Sequence, residues 1–161
     1  MSELSDLMER FRRGPELVAV VLTGAAGEEV DFRPGPGKWS IRQIVAHLAD
    51  SETVGAVRLR FILAEDNPTL TAFNQDAWTA NLDYAARKPA QSLDTFRRVR
   101  SENYELLKSL PESAFARTGT HTERGPVTLR ELVDGYAAHA ESHARQVKGL
   151  REEYKKVKGR N

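Results

Sequence analysis

The chain has 161 residues, of which 40% are hydrophobic, 29% are charged and 7% are aromatic, so residues 1–161 suit a single folded domain. Its 24 Lys and Arg against 23 Asp and Glu give a net charge of +1 and no electrostatic reason to expect nucleic acid or a membrane as a partner. The absence of cysteine excludes disulfides, cysteine–zinc sites, iron–sulfur clusters and thiol nucleophiles. A transition-metal site in this chain must therefore use carboxylates and the four histidines.

The N-terminal segment, residues 2–22, predicts an amphipathic helix, because its apolar residues recur at helical spacing. It does not predict a secretory signal, because its first ten residues, MSELSDLMER, are acidic and contain no apolar run. No segment reaches the roughly 18 apolar residues that cross a bilayer, so we expect a cytoplasmic protein. Gly14-Pro15 interrupts the pattern and predicts a kink or two shorter helices. The glycine- and proline-rich segment 24–38 predicts a loop.

The second predicted helix begins at Ser40, a good N-cap, with Gln43 in the weaker form of a capping box. Its apolar face continues to about Ala64, where Asp66-Asn67-Pro68 ends the helix. From Pro68 to Pro89 the periodicity is lost and aromatic residues gather. We predict a long, partly helical crossover that packs over one end of the fold, a type of connection that is often functional.

Two further helices complete the pattern. The third is predicted from near Ser92 to Leu110, and residues 119–126 predict an extended loop or a hairpin. The fourth begins at the N-cap Thr128, with Glu131 at the capping-box position, and extends to about Lys158. Because strand signals are scarce and one long crossover separates the second helix from the third, the sequence predicts an all-α four-helix bundle.

The fourth helix carries His139 and His143, and their spacing places both imidazoles on one face, one turn apart, where they can bind one metal ion. The alternative is a pair of ordinary surface or core histidines. Small neighbouring residues predict open space beside the pair: Ala137, Ala138, Ala140, Ser142 and Ala144. The pattern differs from the zincin motif, because Ala140 and not glutamate follows the first histidine; we interpret Glu141 as a surface carboxylate.

His47 lies on the inner side of the second predicted helix. A single inward histidine is more often a hydrogen-bonded core residue. Beside His139 and His143, however, it predicts three imidazoles that hold a divalent ion and leave positions open, as in catalytic sites. His121 falls in a predicted loop, where a solvated histidine is the default, although it could reach the mouth of the bundle.

Two motifs resemble the DinB-like superfamily of metal-binding four-helix bundles, which includes the bacillithiol transferases. The first spans Gly37–Glu52, with the sequence GKWSIRQIVAHLADSE, and the second spans Thr128–Val133 and leads into the two-histidine helix. The resemblance covers nearly the whole chain. It implies a Zn²⁺ or Ni²⁺ ion held by His47, His139 and His143, and a homodimer. It is specific for the fold and names neither the reaction nor the substrate.

Five more residues are candidates for the chemistry around that ion. Asp50 and Ser51 lie one turn after the histidine of the second helix, so either could orient a water molecule or support a ligand; Asp50 could equally be a solvated surface charge. Tyr136 could donate to a bound anion or be a core aromatic with a satisfied hydroxyl. Arg58 could hold a substrate carboxylate or form a salt bridge at the rim. Trp78 could cover the pocket or plug the core.

These observations predict a metal-dependent enzyme that acts on a small molecule, as a thiol S-transferase or as a hydrolase. The metal would act as a Lewis acid or lower the pKa of bound water or of a thiol. Without cysteine, any thiol in the reaction must be an external low-molecular-weight thiol. The alternative is a non-catalytic, metal-stabilised dimeric binding or stress-response module, and histidines that bind nothing are the third and least favoured reading. Imidazole ligands alone discriminate little among Zn²⁺, Ni²⁺, Fe²⁺ and Mn²⁺.

Overall fold

The computed structural model of the protein describes residues 2–159, in which four long helices and one short one are accompanied by a small sheet. The helices are α1 (Glu3–Leu22), α2 (Ile41–Ala64), α3 (Gln75–Asn81), α4 (Pro89–Leu107) and α5 (Leu129–Lys158). The strands are β1 (Thr69–Leu70), β2 (Thr118–His121) and β3 (Gly125–Thr128). Short 3-10 helices lie at Gly27–Asp31, Tyr84–Ala86 and Glu112–Ala116. Among these residues, no helix combines the length and apolarity that crossing a membrane requires.

The predicted four-helix bundle is confirmed, with α1 and α5 running in one direction and α2 and α4 in the other. Arg10 contacts Asp134 and Arg151 contacts the carbonyl of Val21, so residue numbers rise together along α1 and α5. Residue numbers also rise together in the contacts between α2 and α4, so these two helices are parallel. In the contacts of α1 with α4, and in those of α2 with α5, one residue number rises while the other falls, so the helices of each pair are antiparallel. The predicted crossover between α2 and α4 makes this possible, because it returns the chain along the bundle before α4 begins.

Reciprocal capping boxes fix the first residues of α2 and α5, as predicted. At α2, the Ser40 hydroxyl accepts from the Gln43 amide at 3.3 Å, and the Gln43 side chain accepts from the Ser40 amide at 3.0 Å. Thr128 and Glu131 form the same arrangement at α5. Each box satisfies amides that the first helical turn leaves without partners.

α4 and the chain after it differ in detail from the prediction. α4 begins at Pro89, upstream of the predicted start near Ser92, because the fixed φ of proline and its missing N–H suit a first helical turn. It ends at Leu107, before the predicted Leu110. Residues 119–126 belong to a hairpin: β2 pairs antiparallel with β3, and β1 from the crossover adds parallel to β2.

Of the two alternatives predicted at Gly14-Pro15, that of two shorter helices is wrong, since α1 continues as one helix through both residues. Pro15 has no N–H to donate to the carbonyl oxygen of Phe11, one turn earlier. The guanidinium of Arg100 on α4 donates to that oxygen instead, at 2.6 Å. Gly14 provides the room, because a Cβ there would lie 2.7 Å from Arg100 Nη1 and 2.9 Å from Ala140 Cβ. A side chain from another helix thus supplies the hydrogen bond that the proline removes.

Candidate metal centre

Three histidine side chains from α2 and α5 converge inside the bundle. His139 Nε2 lies 2.9 Å from His47 Nε2 and 3.0 Å from His143 Nε2, and one nitrogen of each ring lies within 4.8 Å of the others. The antiparallel packing of α2 on α5 brings His47 to the pair, whose spacing already places its two rings one turn apart. Nitrogens bound tetrahedrally to one Zn²⁺ at about 2.0–2.1 Å lie roughly 3.3 Å apart, so the cluster has the dimensions of a metal site.

Burial keeps these imidazoles neutral. His47 is fully buried, and His139 and His143 are half-buried. Burial, followed by the effect of neighbouring imidazoles, lowers the pKa of His47 to about 4 and that of His139 to about 3. Burial also lowers the pKa of His143. All three rings therefore present lone pairs at neutral pH, which is the form that binds a metal ion.

The hydrogen bonding of the rings fits a bound cation better than a closed network of imidazoles. His143 Nδ1 lies 2.8 Å from the side-chain oxygen of Gln146, which accepts its proton and leaves the Nε2 lone pair free. His139 Nε2 faces two other ring nitrogens, although one N–H donates well to only one acceptor. A divalent ion would engage all three Nε2 atoms.

Two features of the surroundings of His47 bear on its orientation, a packed aromatic ring and a ring nitrogen without a partner. Trp39, just before the N-cap of α2, packs against the imidazole, with the ring centroids 4.9 Å apart and the planes tilted by 55°. His47 Nδ1 is buried and has no hydrogen-bond partner among residues 2–159. Histidine ligands usually donate this second N–H to an acceptor, so the orientation of His47 depends here on packing.

The expectation of open space around the two histidines of α5 is wrong for the side that faces α1. Ala137, Ala140 and Ala144 are buried in the core, where Ala140 meets Gly14 and lets α1 approach closely. Open space lies on another side of His139. There a cavity of about 120 Å³, the side cavity, is lined by α2, the crossover, the hairpin and α5. Its polar walls include Ser51, Arg58, Gln75, His121, Arg124 and Tyr136.

Three of the candidate residues line the side cavity: Ser51, Arg58 and Tyr136. The Tyr136 hydroxyl accepts from Arg58 Nη1 at 3.3 Å, which leaves its own proton for another acceptor. Burial raises the pKa of Tyr136, so this hydroxyl stays protonated at neutral pH. The tyrosine ring packs directly on Gly55, where a Cβ would lie 2.6 Å from the ring. The rim salt bridge considered for Arg58 is not formed with any carboxylate of residues 2–159.

Asp50 does not line the side cavity, and it is not a free surface charge. Its carboxylate accepts from the Tyr84 hydroxyl at 2.8 Å and from Arg87 Nη1 at 2.6 Å. Tyr84 is fully buried, and burial together with Asp50 raises the pKa of its hydroxyl. The structure thus gives Asp50 an anchoring position, in which it fastens the end of the crossover to α2.

Trp78 stands behind the wall of the side cavity. Its ring packs on Phe73, with centroids 4.5 Å apart, and Phe73 lines the cavity whereas Trp78 is not among the lining residues.

The expectation that Glu141 is a surface carboxylate agrees with its place in the structure. It forms a bidentate pair with Arg10, at 2.9 Å for each bond, on the side of α5 that faces α1.

The interpretation of His121 as a solvated loop residue is wrong. His121 ends β2, is 7% exposed and lines the side cavity. Its Nδ1 accepts from the backbone amides of Glu123 and Arg124, at 3.2 and 3.3 Å. Burial lowers its pKa, and the charges of Arg58 and Arg124 lower it further. The pairing of His121 with Leu70 across the sheet has no local sequence signal, because it joins two segments far apart in the chain.

Comparison with known proteins identifies the family and the fold of this chain. The family model of the DinB superfamily matches residues 10–147. Protein OB0782 of Oceanobacillus iheyensis is 26% identical over 151 residues, covering 93% of this chain and 83% of its own. YfiT of Bacillus subtilis is 28% identical over 115 residues, covering 71% of this chain and 65% of its own. The names of both relatives propose that they are metal-dependent hydrolases.

The solved structure of Bacillus subtilis YfiT superimposes on this chain with a TM-score of 0.88. The match covers 96% of this chain and 90% of YfiT at 22% sequence identity. That structure is described as an unusual four-helix-bundle topology, in a protein proposed to be a metal-dependent hydrolase. At this level of identity the match establishes the fold.

Proposed function

The chain belongs to the DinB superfamily, and from that premise we propose that it is a metal-dependent enzyme that acts on a small molecule. The observation that carries the proposal is the convergence of His47, His139 and His143, with Nε2 separations of 2.9 and 3.0 Å, beside a cavity that His139 also lines. These residues would hold a divalent ion. We propose Zn²⁺ or Ni²⁺, the ions that the resemblance to the family implies, and neutral imidazole is a suitable ligand for both.

A divalent ion held there supplies Lewis-acid chemistry at the wall of the side cavity. The chain's own residues would bind and orient the substrate. Ser51 and Tyr136 present hydroxyls, and that of Tyr136 keeps its proton because burial raises its pKa. Arg58 presents a positive charge to the same cavity. Trp39 and the surrounding core exclude water from the opposite side of His47.

Hydrolysis is the reaction that we favour. Relatives whose names propose hydrolase activity align with 93% and 71% of this chain, and the side cavity supplies both hydroxyl and cationic groups. Thiol S-transfer is the second candidate; there the absence of cysteine requires an external low-molecular-weight thiol as substrate. A non-catalytic, metal-stabilised dimeric binding or stress-response module is the alternative to both. The homodimer and the cytoplasmic location stay predictions, and light scattering of the purified protein tests the first.

Metal analysis of the untagged protein tests the centre directly. We expect about one divalent ion per chain in the wild type and loss of that ion in His143→Ala. His121→Ala is the matched control, because it removes another buried histidine of the same region and should keep the ion. A wild-type protein without a divalent ion, or equal metal contents in wild type and His143→Ala, would contradict the proposed centre.

An activity screen then separates the candidate reactions. Small esters and amides are assayed with and without added low-molecular-weight thiols, before and after chelation. Metal-dependent turnover without a thiol supports the hydrolase, whereas turnover that requires the thiol supports the transferase. A metal-loaded protein that turns over no compound in either panel would contradict the enzyme and favour the binding module.

A further inference from the structure

Arg58 is a half-buried cation without a counter-ion on the wall of the side cavity. No carboxylate of residues 2–159 lies within 4.0 Å of its guanidinium. Ten other arginines of the described chain form ion pairs with carboxylates. The five described arginines that, like Arg58, form none are all exposed: Arg13, Arg33, Arg60, Arg124 and Arg145. Removing a cation from water without a partner is costly, so an uncompensated arginine at a cavity wall indicates a ligand that carries the opposite charge.

Neutral groups hold the Arg58 guanidinium in place. Nη2 donates to the carbonyl oxygen of Thr71 at 2.6 Å, and Nη1 donates to the Tyr136 hydroxyl at 3.3 Å. Its central carbon lies 5.9 Å from the centre of the Phe73 ring. Nε is buried and has no hydrogen-bond partner among residues 2–159. These contacts fix the orientation of the side chain and leave its charge unpaired.

The remaining charged groups of the side cavity add one more unpaired cation. Arg124 reaches the cavity from the hairpin and has no ion-pair partner among the described residues. The acidic lining residue Glu131 is already engaged, because its carboxylate accepts from the amide and the hydroxyl of Thr128 at 2.8 and 3.0 Å. Two arginines and one glutamate give the lining a formal charge of one positive unit.

We propose that the side cavity binds the carboxylate group of a small acidic substrate through Arg58. Tyr136 would be a further hydrogen-bond donor, and Arg124 would add a second positive charge from the hairpin. The guanidinium fork matches the geometry of a carboxylate. Without a bound metal ion, one negative charge balances the side chains of the lining, whereas a phosphate dianion exceeds it. A volume of about 120 Å³ is below the roughly 150 Å³ of an engineered cavity that holds benzene, so only a small acid or the acidic end of a larger molecule fits.

The bound carboxylate would direct the rest of the substrate toward the histidine cluster, because His139 lines the same cavity. The statement that this ligand is the substrate rests on the proposed function. The binding of a carboxylate at Arg58 does not rest on the proposed function, because none of the contacts that hold the guanidinium involves a histidine of the cluster.

Calorimetric titration at low ionic strength tests the chemical class of the ligand. The probes are butyrate, its uncharged analogue butyramide, and inorganic phosphate. We expect butyrate to bind about tenfold or more tightly than butyramide, and phosphate to bind the chelated protein more weakly than butyrate does. Equal affinities for butyrate and butyramide, or tighter binding of phosphate than of butyrate to the chelated protein, would overturn the assignment of a carboxylate site.

Matched variants then identify the residue that binds the carboxylate. Arg58→Gln should weaken butyrate about tenfold or more, whereas Arg60→Gln removes the same charge from an exposed position of α2 and should leave the affinity within about twofold. If Arg58→Gln does not fold, Arg124→Gln takes its place, with a smaller loss expected because this arginine is exposed. Equal losses in the arginine variant and its control would overturn the proposal.

Repeating the titration after chelation separates this inference from the proposed function. Butyrate binding that depends on Arg58 and survives chelation supports the carboxylate site whether or not the metal centre is real. Binding that disappears with the metal while Arg58 is intact would show that butyrate binds the ion, and would overturn the site. A metal-loaded protein with no preference for butyrate would overturn this inference alone.

Discussion

Arg100 and Glu52 form a bidentate ion pair in the centre of the bundle, with Nε–Oε1 at 2.7 Å and Nη2–Oε2 at 2.8 Å. The two side chains are 1% and 2% exposed. The same guanidinium donates to the carbonyl oxygens of Phe11 and Tyr136, at 2.6 and 3.1 Å. One arginine therefore joins all four long helices, since these partners lie on α2, α1 and α5 while Arg100 lies on α4.

We expect Glu52→Gln to lower the free energy of unfolding by about 3–5 kcal/mol, because it leaves the charge of Arg100 buried without a counter-ion. Urea denaturation followed by circular dichroism measures the change. Asp94→Asn is the control, since it breaks the exposed Asp94–Arg98 pair and should change the stability little. Equal and small effects of the two substitutions would show that the buried pair does not hold the helices together.

Replacing two helical glycines by alanine should change the free energy of unfolding in opposite directions. Gly14→Ala places a Cβ within 2.7 Å of Arg100 Nη1 and 2.9 Å of Ala140, so we expect a loss of about 1–3 kcal/mol as the packing of α1 shifts. At exposed Gly149 of α5 a Cβ meets nothing within 4 Å, and alanine should stabilise the protein by about 0.5–1 kcal/mol. Thermal unfolding of both variants measures the difference, and a tolerated Gly14→Ala would contradict the close approach.

Asp50→Ala should loosen the crossover and leave the metal content unchanged. The substitution removes the acceptor of the buried Tyr84 hydroxyl and of Arg87, so we expect a loss of about 1–3 kcal/mol and faster tryptic cleavage within residues 65–88. Asp76→Ala, at an exposed position of α3, is the control for removing a carboxylate from the same region. Loss of bound metal with unchanged proteolysis would instead place Asp50 in the metal centre.

The pKa of His121 should lie below its ordinary value of about 6.5, and should rise when Arg58 is replaced by glutamine, because burial and then the charge of Arg58 lower it. The folded pKa is depressed, so the stabilising contribution of neutral His121 is complete above about pH 6.5 and is lost as the pH falls through the folded value. Protonation also removes the acceptor for the amides of Glu123 and Arg124.

Titration of the His121 ring by NMR measures this shift. Arg60→Gln is again the control, because this arginine is not among the charges that lower the pKa of His121. A His121 pKa near 6.5 in the wild type, or a His121 pKa that Arg58→Gln leaves unchanged, would contradict the electrostatic effect of Arg58 on His121.

The sequence by itself determined the parts of this protein that depend on residues within about one helical turn of each other. The capping boxes at Ser40 and Thr128 and the single-turn spacing of His139 and His143 are local features of the chain. Apolar periodicity located the four long helices, and the long segment after Pro68 predicted the crossover that the bundle requires. Such features survive in any tertiary context, because they arise from the geometry of one helix.

Only the tertiary structure decided which distant residues meet. Arg100 donates to the carbonyl oxygen that Pro15 cannot reach, and α1 continues as one helix where the sequence left two shorter helices open as an alternative to a kink. The carboxylate of Asp50, one turn from His47, accepts hydrogen bonds from Tyr84 and Arg87 at the end of the crossover. These outcomes depend on the direction and order of the packed helices, which no short stretch of sequence encodes.

The candidate site combines both kinds of information. The spacing of one histidine pair is local, whereas the arrival of His47 requires α2 to run antiparallel to α5. The side cavity is wholly tertiary: the hairpin contributes His121, the crossover contributes Phe73, and α2 contributes Arg58. The absence of an acidic partner for Arg58 is visible only when all neighbouring chain segments are in place, because a missing ion pair is a property of the surroundings and not of the residue.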